Sequence, residues 1–593
     1  MHQINHKFYF VIFLSLFFHI IASFYSIGWL SADEHSCILE YLNLKLGYIS
    51  NPCFLNYVDG NAIDSSIKIR SWAQPFLYYS LSKIFIFFNV HDFFILTFLL
   101  KLFSSLIGWL SIIFFYLLTK NQFKNEIVKK LYLLLIFLFW FYPLLHARTS
   151  AENLSISFLL IGISFYLYSR NNIKVYKILI LGLIFGLSFV FRYNLIFCII
   201  FFYLWIIFCE KIDYKNKFKI CFFSFLSGFL ILLLELIINI WGFENYINFY
   251  KLLNLNYIVK NSPFLQFFLF FEGNNFYSGS NWSDHNFFSY LSMILLKFYP
   301  PLSIIVLLSF FYLIFKNYKN LIVWILLPYF LVHSYISHKE LRYIFPILAF
   351  SPYFISYFFD NFTMNEKIKK NAIYLILILN FFGLIYVSFS SLRPELKVLN
   401  EIYKDYKKKI FYVNFDNSIK WHESLNPFEI DNITNNYYFK FENVEIIKKI
   451  NSQQFKINDC LNGNQTLSGT ISMYGNNYRS ICTKKDFEVF IEEYKKNQIS
   501  LNFIKQKKQN IIPMELKLIN LSKNYKLKNF MNDYLADKNI FILTQDHNVV
   551  NNLYRNSNCK VLKNSKPMFI SKIRFNKINE RVENLVYFSC RKL

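Results

Sequence analysis

Runs of about 20 or more apolar residues with hardly a charge recur along this chain, at 8–30, 92–118, 219–242 and 371–392 among others. A helix of that length spans the hydrocarbon core of a bilayer, where the backbone must satisfy its own hydrogen bonds. Of 593 residues, 55% are hydrophobic and 21% aromatic, with 73 Phe and 43 Tyr, which is far more than an ordinary soluble domain carries. The expected fold class is therefore a multi-span α-helical membrane protein. The first run is long, lacks a small-x-small cleavage site and is followed by further spans, so it reads as a retained helix rather than a signal peptide.

The formal charge of +26 raises the question of nucleic acid. The basic residues stand in short clusters between spans and along a polar C-terminal third, with no recognisable reading motif, so no nucleic-acid partner is expected. Membrane topology accounts for the clusters, because cytoplasmic loops collect Lys and Arg. Lys7, then Lys120, Lys124, Lys129 and Lys130, then Arg170, Lys174 and Lys177, then Lys211, Lys215, Lys217 and Lys219 fall on the cytoplasmic side. Lys316, Lys319, Lys367, Lys369 and Lys370 join them. The intervening gaps 31–75, 145–151, 243–298 and 334–342 then face the other side, giving about eleven spans with the N-terminus inside and the C-terminus outside. Segment 76–90 is apolar but short, and a crossing there would reverse every later assignment. It is expected along the interface, as an amphipathic helix within an outer loop of residues 31–91.

Two domains are expected: a transmembrane unit over 1–392 and a soluble, non-cytoplasmic unit over 393–593. The second is polar and Asn-rich, with strand-like pieces at 410–414 and 437–447 and a strand-helix-strand pattern at 539–562, so it reads as mixed α/β. Cys37, Cys53, Cys460, Cys482, Cys559 and Cys590 fall outside, where an oxidising compartment allows pairing; their connectivity stays open. Their spacing gives no metal motif, and no cofactor is expected. Asn432, Asn464 and Asn520 begin glycosylation triplets, which an Asn-rich chain also contains by chance.

Directly after the first span come Asp33-Glu34-His35 and then Glu40. Two adjacent carboxylates at the membrane boundary suit a general base that takes a proton from an attacking hydroxyl, though they also suit a wet headgroup layer. Further along the same loop, Lys68, Arg70, Trp72, Gln74 and Pro75 combine cations with an aromatic ring. Arg grips phosphate oxygens two at a time and Trp stacks on a sugar face, yet both also anchor helices at headgroup level. The densest polar cluster among the spans is His338-Lys339-Glu340-Leu341-Arg342-Tyr343. Lys339 and Arg342 offer charge to a lipid-borne phosphate, with Glu340 orienting one of them; the alternative is a self-neutralising turn, but so tight a turn needs polarity and not this particular mixture, which favours function. In the loop 243–298, an apolar run from Phe264 to Phe271 precedes Tyr277, Gly279 and Trp282, a composition that fits either a sugar-contacting turn or a connecting loop. Arg148 and Arg192 stand at outer helix ends, and Arg192 divides 178–209 into two short spans.

These motifs resemble those of glycosyltransferase family 22, the lipid-phosphate-mannose-dependent mannosyltransferases that include the GPI-anchor and asparagine-linked-glycan enzymes. His338-Lys339-Glu340-Leu341-Arg342-Tyr343-Ile344-Phe345-Pro346 is similar to the family signature. Asp33-Glu34-His35 with Glu40 resembles its acidic first loop, and Arg70-Ser71-Trp72-Ala73-Gln74-Pro75 the segment before its second helix. Phe276-Tyr277-Ser278-Gly279-Ser280-Asn281-Trp282 is similar to its Tyr-Gly-Trp loop with an inserted Ser. Over roughly 8–392, the resemblance implies the glycosyltransferase type C fold with its catalytic loops on the lumenal side. It implies a polyprenyl-phosphate sugar donor of the dolichyl-phosphate mannose type, a glycolipid or lipid-linked oligosaccharide acceptor, and an inverting single displacement. Asp33 is then the preferred base with Glu34 assisting. Arg70, Trp72, Tyr277, Trp282, His338, Lys339, Glu340 and Arg342 are then substrate-binding residues. The membrane is that of the endoplasmic reticulum, or a bacterial inner membrane with a periplasmic site. Two alternatives remain open: a type C transferase with another lipid-linked sugar or a protein acceptor, and a polytopic lipid or sugar transporter.

Overall fold

The computed structural model describes residues 6–26, 28, 34–46, 70–90, 93–244, 254–268, 286–336, 338–390, 410–415, 439–441, 472–473, 476–477, 514–521, 540–544, 559–564 and 586–590. The chain divides into two compact units, Met1–Leu42 with Ser66–Ser391, and Asn43–Ser65 with Leu392–Leu593.

The first unit is helical throughout its described part. Among the described residues, six helices are long and apolar enough to cross a bilayer: Phe8–Tyr25, Ile95–Gln122, Glu126–His146, Ala151–Ser169, Tyr214–Phe243 and Glu366–Phe389. The other segments expected to cross are shorter helices. Val175–Phe191 and Ile196–Phe208 flank a break at Arg192, whose backbone is extended. Leu302–Lys316 and Leu321–Tyr335 meet at 116°. Phe345–Ala349 and Ser351–Asn361 follow, each opened by a proline in its first turn, where the missing N–H costs nothing. The helix Ala73–Phe87 has 15 residues, too few to cross. It buries Gln74, Pro75, Tyr78 and Ser82 while exposing Ile84 and Phe87.

Breaks inside the apolar region are supplied with partners, as lipid requires. Between Glu126–Leu138 and Phe141–His146 the helical ladder is interrupted. There Asn380, from the last span, accepts from the Trp140 N–H at 3.0 Å and donates to Leu138 O at 2.8 Å. At the face assigned to the cytoplasm, Asp360 accepts from the N–H groups of Lys124 and Asn125, and Trp205 donates to Lys319 O. These contacts join loops that the basic residues place on one side.

The second unit contains a six-stranded sheet in the order β2-β5-β1-β6-β8-β7. The strands are β1 Ile410–Phe415, β2 Phe439–Phe441, β5 Met514–Leu521, β6 Ile540–Thr544, β7 Cys559–Asn564 and β8 Val586–Cys590; β3 Ser472–Met473 and β4 Asn476–Asn477 pair separately. β2, β5, β1 and β6 run parallel, and β8 turns antiparallel to β6 and β7. The apolar runs of β1 and β6 suit interior parallel strands. Cys559 and Cys590 are register partners and form a disulfide. Cys37 is buried, whereas Cys53, Cys460 and Cys482 lie outside the described residues.

Candidate active site

Four helix ends and one turn enclose a cavity of about 70 Å³, room for a group larger than one water. Its lining includes Glu34, Arg70, Ser71, Gln74, Glu152, Arg192, Tyr193 and Arg342. These side chains come from the first outer loop, the segment before Ala73–Phe87, the start of Ala151–Ser169, the Arg192 break and the 338–342 turn. Three of the motifs singled out in the sequence thus meet at one place, and three guanidiniums face two carboxylates there.

Glu34 is buried, and its Oε1 accepts from Thr149 N at 2.9 Å and Thr149 Oγ1 at 3.0 Å. The adjoining Arg148 donates to Ser26 O and Gly28 O. Burial lowers the pKa of Arg148 to about 10, and the charge of Glu34 opposes that shift. Gln74 Nε2 donates to Thr149 O and Tyr78 Oη, both at 2.9 Å, which fixes the helix Ala73–Phe87 to the same link.

The 338–342 turn is braced internally. Arg342 donates through Nε and Nη2 to the two carboxylate oxygens of Glu340, at 2.5 and 2.9 Å, and His338 Nε2 stands 3.2 Å from Glu340 Oε1. Glu340 thus pairs with Arg342 through both carboxylate oxygens. Lys339 is buried, with Nζ donating to Ile336 O at 2.5 Å, and burial lowers its pKa. Arg342 lines the cavity; His338, Lys339 and Glu340 stand behind it.

Trp72 takes a different place from the one its sugar-stacking chemistry suggested. Its ring is fully buried, stacked on Tyr41 at 4.4 Å between centroids and edged by Trp241 and Phe243. Its backbone N–H donates to Asn239 Oδ1 at 2.8 Å. The ring faces are used in packing, so Trp72 holds Arg70 and Ser71 in place rather than lining the cavity. Asp33, Tyr277 and Trp282 lie outside the described residues.

Glu152 carries no signal in the sequence, and Arg192 marks there only a helix end that divides 178–209. Glu152 Oε1 pairs with Arg192 Nη1 at 2.9 Å and with Arg342 Nη1 at 3.7 Å. It thereby draws two guanidiniums toward the cavity. Arg192 also lies over the Tyr343 ring at 5.3 Å. A second missed cluster supports the rear wall: Tyr193 Oη is 2.6 Å from both Glu235 Oε1 and Gln266 Oε1, and Asn239 donates to Gln266. An acidic residue inside a span is the signal that would have found Glu235.

The Alg9-like mannosyltransferase family matches residues 10–428 of this chain. Human GPI alpha-1,2-mannosyltransferase 3 is 25% identical over 342 residues, which is 57% of this chain and 56% of that protein. The match thus spans little more than half the length of that relative. Among solved structures, ArnT from Cupriavidus metallidurans bound to undecaprenyl phosphate aligns at 8% identity and a TM-score of 0.45, covering 99% of this chain and 98% of its own. The oligosaccharyltransferase of Archaeoglobus fulgidus, in complex with Zn and sulfate, aligns at 12% identity and a TM-score of 0.42, covering 72% and 61%.

Proposed function

The chain belongs to the Alg9-like mannosyltransferase family, and from that membership we propose that it moves mannose from a polyprenyl-phosphate donor of the dolichyl-phosphate mannose type to a glycolipid or lipid-linked glycan, with inversion. The observation that carries this reading is the meeting of Glu34, Arg70 and Arg342 at one cavity. A displacement at an anomeric carbon needs a carboxylate on the side of the attacking hydroxyl and cations on the side of the departing phosphate. The cavity lining offers both.

In this mechanism an acceptor hydroxyl oxygen attacks C1 of the mannosyl group as the C1–O bond to phosphate breaks. The hydroxyl proton passes to Asp33, with Glu34 next to it in sequence assisting. The phosphate leaves with the bonding pair, and Arg70 and Arg342 neutralise it. Glu340 holds the Arg342 fork in a fixed plane, which reduces the reorganisation needed as charge develops. Lys339 adds charge behind that turn.

The reaction is placed on the non-cytoplasmic face, in the lumen of the endoplasmic reticulum or in a bacterial periplasm. The cavity is built from gaps that the positive-inside rule sends outward, and the Cys559–Cys590 pair fits an oxidising compartment. The name of the human relative points the acceptor toward glycolipids of the GPI type.

The test uses purified full-length protein in nanodiscs with mannosyl-phosphoryl polyprenol and a mannose-ended glycolipid. One added hexose in an α linkage is expected by mass spectrometry and NMR. Transfer only from another lipid-linked sugar, transfer only to protein, or lipid flipping in empty liposomes without product would overturn the reading.

A further inference from the structure

A lysine buried in an apolar span is costly and needs a reason. Lys101 is 3% exposed within the helix Phe93–Thr119. Its Nζ donates to Ser26 O at 2.5 Å and Gly28 O at 2.9 Å, the carbonyls at and just beyond the end of the first span. Arg148 donates to the same two oxygens at 3.4 and 3.3 Å. The Ser26 hydroxyl donates to Ala147 O, and Gly28 turns the chain at φ 93°, a conformation that favours glycine. Carbonyls at a helix C-terminus lack intrahelical partners and carry the negative end of the dipole, so two cations there satisfy and complement them. Both cations feel the carboxylate charge of Glu34, six residues beyond Gly28 and itself bound to Thr149.

We propose that Lys101, together with Arg148, is a positioning residue for the acidic first loop, clamping the carbonyls of Ser26 and Gly28 so that Glu34 is delivered to the cavity in one register. The clamp fixes the loop at both ends: residues 26–28 on Lys101 and Arg148, and Glu34 on Thr149. A carboxylate displaced by about 1 Å loses on the order of a hundredfold in rate. The kinetic consequence rests on the transferase reading; the geometric one does not.

Lys101→Met, Lys101→Gln and Lys101→Arg are compared in full-length protein in nanodiscs, by hydrogen exchange of the segment from 26 to 36 and by transfer kinetics. For Lys101→Met, faster exchange confined to that segment is expected, with kcat down about a hundredfold and donor KM within twofold of wild type. Lys101→Arg restores both. If Lys101→Met does not yield folded protein, Lys101→Gln, which removes the charge but keeps an N–H donor group, is judged by the same criteria. Unchanged exchange overturns the proposal, as does a rise in donor KM with kcat preserved. A wild-type protein without transfer activity sinks the functional reading instead, and the exchange result still decides the clamp.

Discussion

Glu152, in the first turn of Ala151–Ser169, and Arg192, at the break after Val175–Phe191, pair across 2.9 Å with side chains 4% and 10% exposed. Their pairing closes one wall of the cavity and leaves little water near either charge. Removing one partner of such a pair costs about 3–5 kcal/mol, because the other remains buried and uncompensated. Arg342, 3.7 Å from the same oxygen, offsets part of that loss. Arg192→Met should therefore lower the thermal midpoint, and adding Glu152→Gln should recover part of it. A double variant less stable than Arg192→Met by the full cost of the second change would show that the two do not act as a pair.

Glu340→Gln tests whether Arg342 must be held in its fork. The carboxylate is about a third exposed, so the stability effect should be small, since solvent screens it. The kinetic effect should be larger: a freed guanidinium costs about one charge-assisted hydrogen bond at the phosphate, roughly tenfold in kcat/KM. Steady-state kinetics against donor concentration measure it. Unchanged kcat/KM would remove Glu340 from any orienting role.

Gly242→Ala probes the packing behind Arg70. A Cβ at Gly242 would stand 2.2 Å from ring atoms of Trp72, which Tyr41 and Asn239 already hold. Such overpacking typically costs 1–3 kcal/mol. Tryptophan fluorescence and the thermal midpoint should both shift, and transfer should fall with them through displacement of the Arg70–Gln74 segment. A midpoint equal to wild type would mean that the ring moves aside freely.

The helical membrane architecture was legible because apolar run length is a direct constraint of the bilayer. The three motifs that meet at the cavity were legible as clusters of charge at helix ends, where polarity is expensive. Glu152 escaped notice because a single acid in a helix's first turn looks like an ordinary dipole partner. Its role exists only once Arg192 and Arg342, 40 and 190 residues later, fold against it. Trp72 shows the opposite case. Its chemistry suggested a sugar platform, while the aromatic partners that bury it come from Tyr41 and Trp241, which sequence spacing cannot bring together.

The Cys559–Cys590 bridge closes a separation of 31 residues across β7 and β8. Loop-closure entropy for that span is worth about 3–4 kcal/mol in the chain-entropy model. Non-reducing peptide mapping should recover the linked pair from protein made in an oxidising compartment. Cys590→Ser should destabilise the sheet while leaving the span helices intact, as read by limited proteolysis. Recovery of both cysteines as free thiols would place this unit in a reducing environment and count against the proposed orientation.

Asp33 and Glu34 adjoin in sequence, and their variants should fail in different ways. Glu34 is buried, accepts twice from Thr149 and is the carboxylate charge sensed by Lys101 and Arg148. Glu34→Gln would leave two buried cations without that charge, a loss on the order of 3 kcal/mol, so the protein should lose stability along with activity. Asp33, as the proposed general base, should behave otherwise: Asp33→Asn removes the proposed proton acceptor, and kcat should fall by roughly 10²- to 10⁴-fold at an unchanged thermal midpoint. Thermal melts and single-turnover transfer on both variants separate the two roles. Should Asp33→Asn retain full kcat while Glu34→Gln folds normally and is inactive, the base is Glu34, and its contacts to Thr149 hold a catalytic carboxylate rather than a loop.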